Sequence, residues 1–169
     1  MRNLFCKRGI KQIEKTKKEF KLKKIFLSMI ILTAILIGCS KAGANDNLNW
    51  EENLEYALQK AKTENKAVLV NFTGSDWCQW CIKLSNEVFS KSEFKEYADD
   101  NLILVRLDFP RNIEQSAETK AYNNQLAQRY GVQGFPTVLL FNSSGNLVKT
   151  TGYLPGGPVT YVNDLKSSL

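Results

Sequence analysis

Two short apolar runs, Ala67–Phe72 and Leu102–Leu107, are each followed by a segment of helical periodicity, and a third pair, Thr137–Phe141 and Leu147–Thr151, closes on Asn142-Ser143-Ser144-Gly145-Asn146. Runs this short and β-branched, bounded by polar turns, read as buried strands. The last pair reads as a hairpin by its turn composition. Strand and helix alternating first, with a hairpin last, imply an α/β chain. Its core is a mixed sheet of about four strands with helices on both faces.

The helices follow from spacing and caps. Asn49 is placed to cap a helix over 50–64, with Trp50, Leu54, Ala57, Leu58 and Ala61 on one face. A helix starts at Cys78 and Cys81, and Leu84 and Val88 continue its inward stripe. Ser90 and Glu93 have capping-box spacing ahead of Phe94, Tyr97 and Ala98. Phe109–Ala117 is an irregular polar insert. Helix 118–130 ends at Gly131, and Tyr161, Val162 and Leu165 put a closing helix at 158–168.

Charge has to be divided before it is interpreted. Residues 1–38 hold ten Lys or Arg against two acidic residues, while 39–169 hold 13 basic against 15 acidic. The folded part is therefore mildly acidic and carries no electrostatic footprint for nucleic acid. The basic leader runs into Ile25–Ile37, thirteen residues without a charge. At about 1.5 Å per residue these span roughly 20 Å, short of a ~30 Å hydrocarbon core, which fits a secretory signal better than a membrane span.

The run closes on Leu36-Ile37-Gly38-Cys39, followed by Ser40. This resembles the lipobox of bacterial lipoproteins, and the resemblance implies cleavage before Cys39 and acylation of its sulfur. The expected organisation is a lipoprotein signal peptide over 1–38, a lipidated N-terminus and tether over 39–48, and the α/β domain over 49–169. The domain would then be exported and lipid-anchored to a bacterial membrane, in the periplasm or cell-envelope space.

No histidine occurs in the chain. That excludes Ser-His-Asp and Cys-His nucleophiles and removes the commonest metal ligand. Of four cysteines, processing removes Cys6 and occupies Cys39, leaving Cys78 and Cys81 as the free thiols. Two thiolates without histidine cannot close a zinc site. A bridge between them closes a tiny loop and stabilises little, so reversible exchange explains them better than a structural disulfide. No metal and no cofactor are expected.

Val70-Asn71-Phe72-Thr73-Gly74-Ser75-Asp76-Trp77-Cys78-Gln79-Trp80-Cys81 resembles the active-site region of thioredoxin-like proteins, especially exported members with a Ser-Asp-Trp-Cys-x-x-Cys form. Gly134-Phe135-Pro136-Thr137 resembles that family's cis-proline loop, just before the hairpin. The likeness covers about residues 50–169 and implies a thioredoxin-like fold and a thiol-disulfide oxidoreductase. It implies protein disulfides or dithiols as substrates and a separate electron-transfer partner.

Cys78, at a helix N-terminus, faces unpaired N–H groups and the positive end of the helix dipole, which favour a thiolate. It is the expected nucleophile, and Cys81, shielded one turn further in, the resolving sulfur. Phe135-Pro136, if cis rather than an ordinary X-Pro turn, presents backbone to an extended substrate. Trp80 is expected to wall the sulfurs, and Trp77 reads equally as wall or as core.

Two departures stand out. Asn71 occupies the place where the family often carries a buried Asp, and Gln79-Trp80 replaces Gly-Pro between the cysteines. Arg106, where the family often has Lys, reads as a surface charge. The competing reading is a protein-binding module on the same fold with idle cysteines. Nothing in the sequence calls for more than a monomer.

Overall fold

A computed structural model describes residues 48–169. The expected signal peptide, Cys6, Cys39 and the tether up to residue 47 lie outside the described residues. Among the described residues no helix is long and apolar enough to cross a membrane.

The elements in chain order are β1 (Trp50–Glu51), α1 (Leu54–Glu64), β2 (Ala67–Thr73), α2 (Gln79–Leu84) running into a π-helical turn (Ser85–Phe89), α3 (Ser92–Asn101), β3 (Leu102–Asp108), α4 (Ala117–Arg129), β4 (Thr137–Phe141), β5 (Leu147–Thr151) and α5 (Gly157–Lys166). They build one five-stranded sheet in the order β1-β3-β2-β4-β5. β1, β3 and β2 are parallel. β4 runs antiparallel to β2 and to β5.

All seven residues of β2 are buried, because this strand lies between two paired neighbours and beneath helices on both faces. On one face Leu69, Leu104 and Leu140 pack with Leu84, Phe94 and Tyr161 from α2, α3 and α5. On the other, Val70, Phe72, Val105 and Leu139 pack with Leu54 and Ala57 of α1 and Leu126 of α4. Alternation along each strand thus supplies two separate cores.

Three local expectations need correction. The sheet has five strands, because Trp50 and Glu51 pair with Leu104 and Val105. Residue 50 therefore belongs to no helix: α1 starts after Asn53, whose Oδ1 accepts the Tyr56 N–H at 2.7 Å. Trp50 and Leu54 share helical spacing but pack into opposite cores, with Trp50 set edge-on against Phe89 at 5.4 Å.

The Ser90/Glu93 capping box does not form. The preceding helix continues through the π-helical turn, so the Ser90 N–H and hydroxyl donate backward to the carbonyls of Ser85 and Asn86. α3 begins after Lys91 without a side-chain cap. The hairpin strands, α4 and its Gly131 terminus at φ 64° lie within a residue of expectation.

Candidate active site

The site is built at the end of the sheet where β2 stops. Beyond Thr73 the chain turns back on itself, and the Cys78 N–H donates to the Gly74 carbonyl at 2.9 Å. This turn delivers Cys78, in extended conformation, as the N-cap of α2. Cys78 and Cys81 are joined as a disulfide with Cα atoms 5.2 Å apart. The Cys81 N–H donates to Cys78 Sγ at 3.2 Å. An unpaired helix N–H aimed at that sulfur stabilises negative charge on it. Exposure does not separate the two residues, at 6% for Cys78 and 4% for Cys81. Their surroundings do.

On one flank Trp77 stands as a fixed, half-buried wall. Its indole N–H donates to the Phe109 carbonyl at 2.7 Å, its ring meets Phe135 edge-on at 5.9 Å, and the Arg111 guanidinium lies 3.8 Å over its face. Phe109 also packs against Phe135 and Phe72, so an aromatic train links this wall to the core. Of the two readings open for Trp77, wall or core, the half-buried ring stands between them.

The insert that supplies Phe109 and Arg111 is stitched to the cysteine loop in both directions. Asp76 accepts the backbone N–H groups of Arg111 and Asn112 at 3.0 and 2.6 Å. Asp108 accepts the N–H and hydroxyl of Ser75 at 2.9 and 2.5 Å. The Arg111 N–H, followed by the Asn112 N–H, holds the Asp76 carboxyl below the usual carboxylate range. Neither acid is identifiable from the sequence as a positioning residue, because each acts on partners over 30 residues away.

On the opposite flank Trp80 is 57% exposed and lies 5.3 Å from Tyr153. The Lys83 ammonium sits over both rings, at 5.2 and 5.0 Å. The Tyr153 hydroxyl donates to Glu87 at 2.6 Å, a bond that raises its pKa. No motif points to Tyr153, which arrives from the segment after β5.

The Phe135–Pro136 peptide is cis, immediately before β4, whose first residue Thr137 pairs with Phe72. That register brings Pro136 to the sheet end that carries the cysteine loop. Gly152 is required here for space: a Cβ on it would come within 2.9 Å of the Pro136 carbonyl oxygen.

Beneath the disulfide runs a cleft of about 650 Å³ that Cys81 lines together with Asn71, Thr73, Ser85 and Arg106. Asn71 and Arg106 are register partners on β2 and β3. Asn71 is buried while Arg106 is exposed, as expected of a surface charge.

A cysteine pair at a helix start, flanked by an aromatic wall and a cis-proline on a mixed sheet, defines a thiol-disulfide oxidoreductase. Residues 54–160 match the model of the thioredoxin-like domain. The chain is 40% identical over 123 residues to the disulfide bond reductase DsbH of Chlamydia pneumoniae, covering 73% of this chain and 74% of that protein. A solved structure of a DsbH oxidoreductase superposes with a TM-score of 0.70 at 37% identity, over 79% of this chain and 92% of that one. The oxidised C-terminal domain of Neisseria meningitidis DsbD shares the fold, with a TM-score of 0.54 at 16% identity, over 72% of this chain and all of that one. The chain belongs to the thioredoxin-like family.

Proposed function

We propose that this protein reduces disulfides in exported proteins, or rearranges them, with Cys78 as the attacking thiolate and Cys81 as the resolving thiol. The observation that carries the assignment is the Cys81 N–H donating to Cys78 Sγ at the head of α2. Of the two sulfurs it is the one at the cap that this bond and the helix dipole stabilise as a thiolate. The resemblance to a protein named as a disulfide bond reductase supports the reductive direction.

In the cycle the Cys78 thiolate attacks a substrate disulfide, forming the Cys78–substrate bond and releasing one substrate thiolate. Cys81 then loses its proton and attacks Cys78. The second substrate thiolate leaves, and the pair is oxidised by two electrons. A dithiol redox partner returns them. Trp77, Trp80, Phe135 and Pro136 form the substrate-binding rim, with the Phe135 backbone pairing an extended segment beside Cys78. One copy carries the whole centre, so a monomer suffices. Cleavage and acylation at Cys39 would hold the domain to the membrane facing its exported clients.

The test is a disulfide-reduction assay on the full chain with Cys78→Ser as control, together with the Cys78–Cys81 potential. We expect no turnover from Cys78→Ser and a potential near about −270 mV, as in reductases, rather than the ~−120 mV of a strong oxidant. Equal rates for the two proteins would end the enzyme reading. Acylation is read separately by incorporation of labelled fatty acid, lost in Cys39→Ser.

A further inference from the structure

Cys81 lines the cleft of about 650 Å³ beneath the disulfide, and Cys78 does not. None of Trp77, Trp80, Phe135 and Pro136 lines it either, so the cleft offers Cys81 an approach that does not pass through the aromatic rim. Its volume is that of small-molecule sites. Among the described residues Arg106 of β3 is its one charged lining side chain, exposed and in no ion pair. Ser85 and Asn86 add a hydroxyl and an amide to the same wall. The nearest acids, Glu52 and Asp108, line a smaller adjoining pocket with Arg106, and Asp108 is bonded to Ser75. A cleft with a cation and no acidic lining favours an anion.

The direction of attack follows from the leaving group. Thiol-disulfide exchange is faster when the departing sulfur is the better-stabilised thiolate. The Cys81 N–H donates to Cys78 Sγ at the head of α2, which makes Cys78 the better leaving group and Cys81 the sulfur to be attacked. We propose that the cleft is a second entrance to the disulfide, through which a small carboxylate-bearing thiol, its anion held by Arg106, attacks Cys81 Sγ and returns electrons to the pair. This route stands beside the dithiol partner, and it rests on the reading of Cys78 and Cys81 as the redox pair.

The small thiol gives its proton to water, and its sulfur bonds to Cys81 as the Cys81–Cys78 bond breaks. Cys78 departs with the electron pair as a thiolate. A second small thiol loses its proton to water and attacks the first at sulfur. The small disulfide leaves, and Cys81 departs with the electron pair and is protonated by water. Two small thiols are thereby oxidised to one disulfide, and the protein disulfide is reduced by two electrons to the dithiol.

The experiment compares the oxidised full chain with its Arg106→Gln and Arg106→Lys variants, reduced by mercaptoacetate or by cysteamine, with the active-site peptide read by mass spectrometry. Arg106→Gln should slow mercaptoacetate about five-fold relative to cysteamine, the upper end for an exposed charge pair, and Arg106→Lys should keep most of the preference. The sulfur is located with single thiols. Cys78→Ser leaves Cys81 and Cys81→Ser leaves Cys78, each treated with dithiodiglycolate, the disulfide of mercaptoacetate. Adding Arg106→Gln should slow adduct formation about five-fold at Cys81 and leave Cys78 unchanged. An unaltered mercaptoacetate-to-cysteamine ratio, equal effects at both sulfurs, or a Cys81 that forms no adduct overturns the proposal. No protein substrate is used, so failure here is separate from failure of the reductase reading, which the Cys78→Ser reduction assay reports.

Discussion

Gly74 carries a prediction whose sign is set by two opposed effects. Its φ lies outside the left-handed region, so Ala is allowed by the backbone, and stiffening the unfolded chain would by itself stabilise by about 0.4–1 kcal/mol. A Cβ at this position, however, would lie 2.5 Å from Trp77 Cε2, 2.7 Å from Nε1 and 2.8 Å from Cζ2. Carbon contacts relax to about 3.5–4 Å, so the indole has to move by roughly 1 Å. The ring is held by the Phe109 carbonyl, by the edge of Phe135 and by Arg111. Disturbing these forfeits about 1 kcal/mol for the hydrogen bond and about 0.5–1 kcal/mol for each of the others. The net for Gly74→Ala is a loss of about 2 kcal/mol, within the range for overpacking, and a fall in melting temperature of roughly 8 °C.

A double-mutant cycle tests the cause. Trp77→Leu alone should destabilise, but it removes the indole atoms that the new methyl would strike. In that background Gly74→Ala should cost under about 0.5 kcal/mol, giving a coupling of about 2 kcal/mol. Thermal melts and denaturant titrations of the four proteins measure it. Strictly additive effects, or a Gly74→Ala protein that melts with the parent, would refute the claim that Gly74 exists to admit the Trp77 ring.

Two further outcomes follow from polar groups. Asp76→Ala should release the insert, seen as faster hydrogen exchange at the Arg111 and Asn112 amides with the sheet amides unchanged. Because Asp76 is held below its ordinary pKa of about 4, the anchoring is complete above that value and is lost as pH falls through the lower folded value. The same two amides should therefore lose protection on acidification, and no such change should appear near neutrality. Tyr161 is wholly buried, its hydroxyl has no partner among the described residues, and burial raises its pKa. Tyr161→Phe should stabilise by about 1 kcal/mol at neutral pH in denaturant titrations. It should also lessen the loss of stability that sets in above pH ~10, where an unfolded tyrosine ionises.

What was legible in the sequence was whatever depends on neighbours along the chain. The β4–β5 hairpin is read from its turn, α4 from its periodicity and Gly131, and the cysteine pair from its chemistry. Trp50 shows where this fails. Its spacing to Leu54 satisfies a helix, yet two residues of parallel pairing with β3 and an edge contact with Phe89 outweigh that pattern. Ser90 fails for a related reason: a serine can close the end of one helix as readily as open the next, and the π-helical turn decided between them. The collar around Trp77 was invisible because Asp76 and Asp108 act through side-chain bonds to backbone or hydroxyl groups far along the chain.

The disulfide consequently sits between surroundings of different construction. Above it are aromatic walls, of which Trp77 is held at its N–H, by Arg111 over its face and by Phe135 edge-on, while Trp80 lies tilted against Tyr153 in the open. Below it is a polar cleft whose buried Asn71 amide does not titrate and whose one charged lining side chain among the described residues is Arg106. Pinned aromatics suit recognition of a disulfide presented by a protein, since they bury apolar area with little conformational entropy left to lose. On the roles proposed above, attack by Cys78 would depend on the aromatic side and the return of electrons through Cys81 on the polar cleft. Substitutions at Trp77 or Gly74 should alter the first step, whereas substitutions at Arg106 should alter the second.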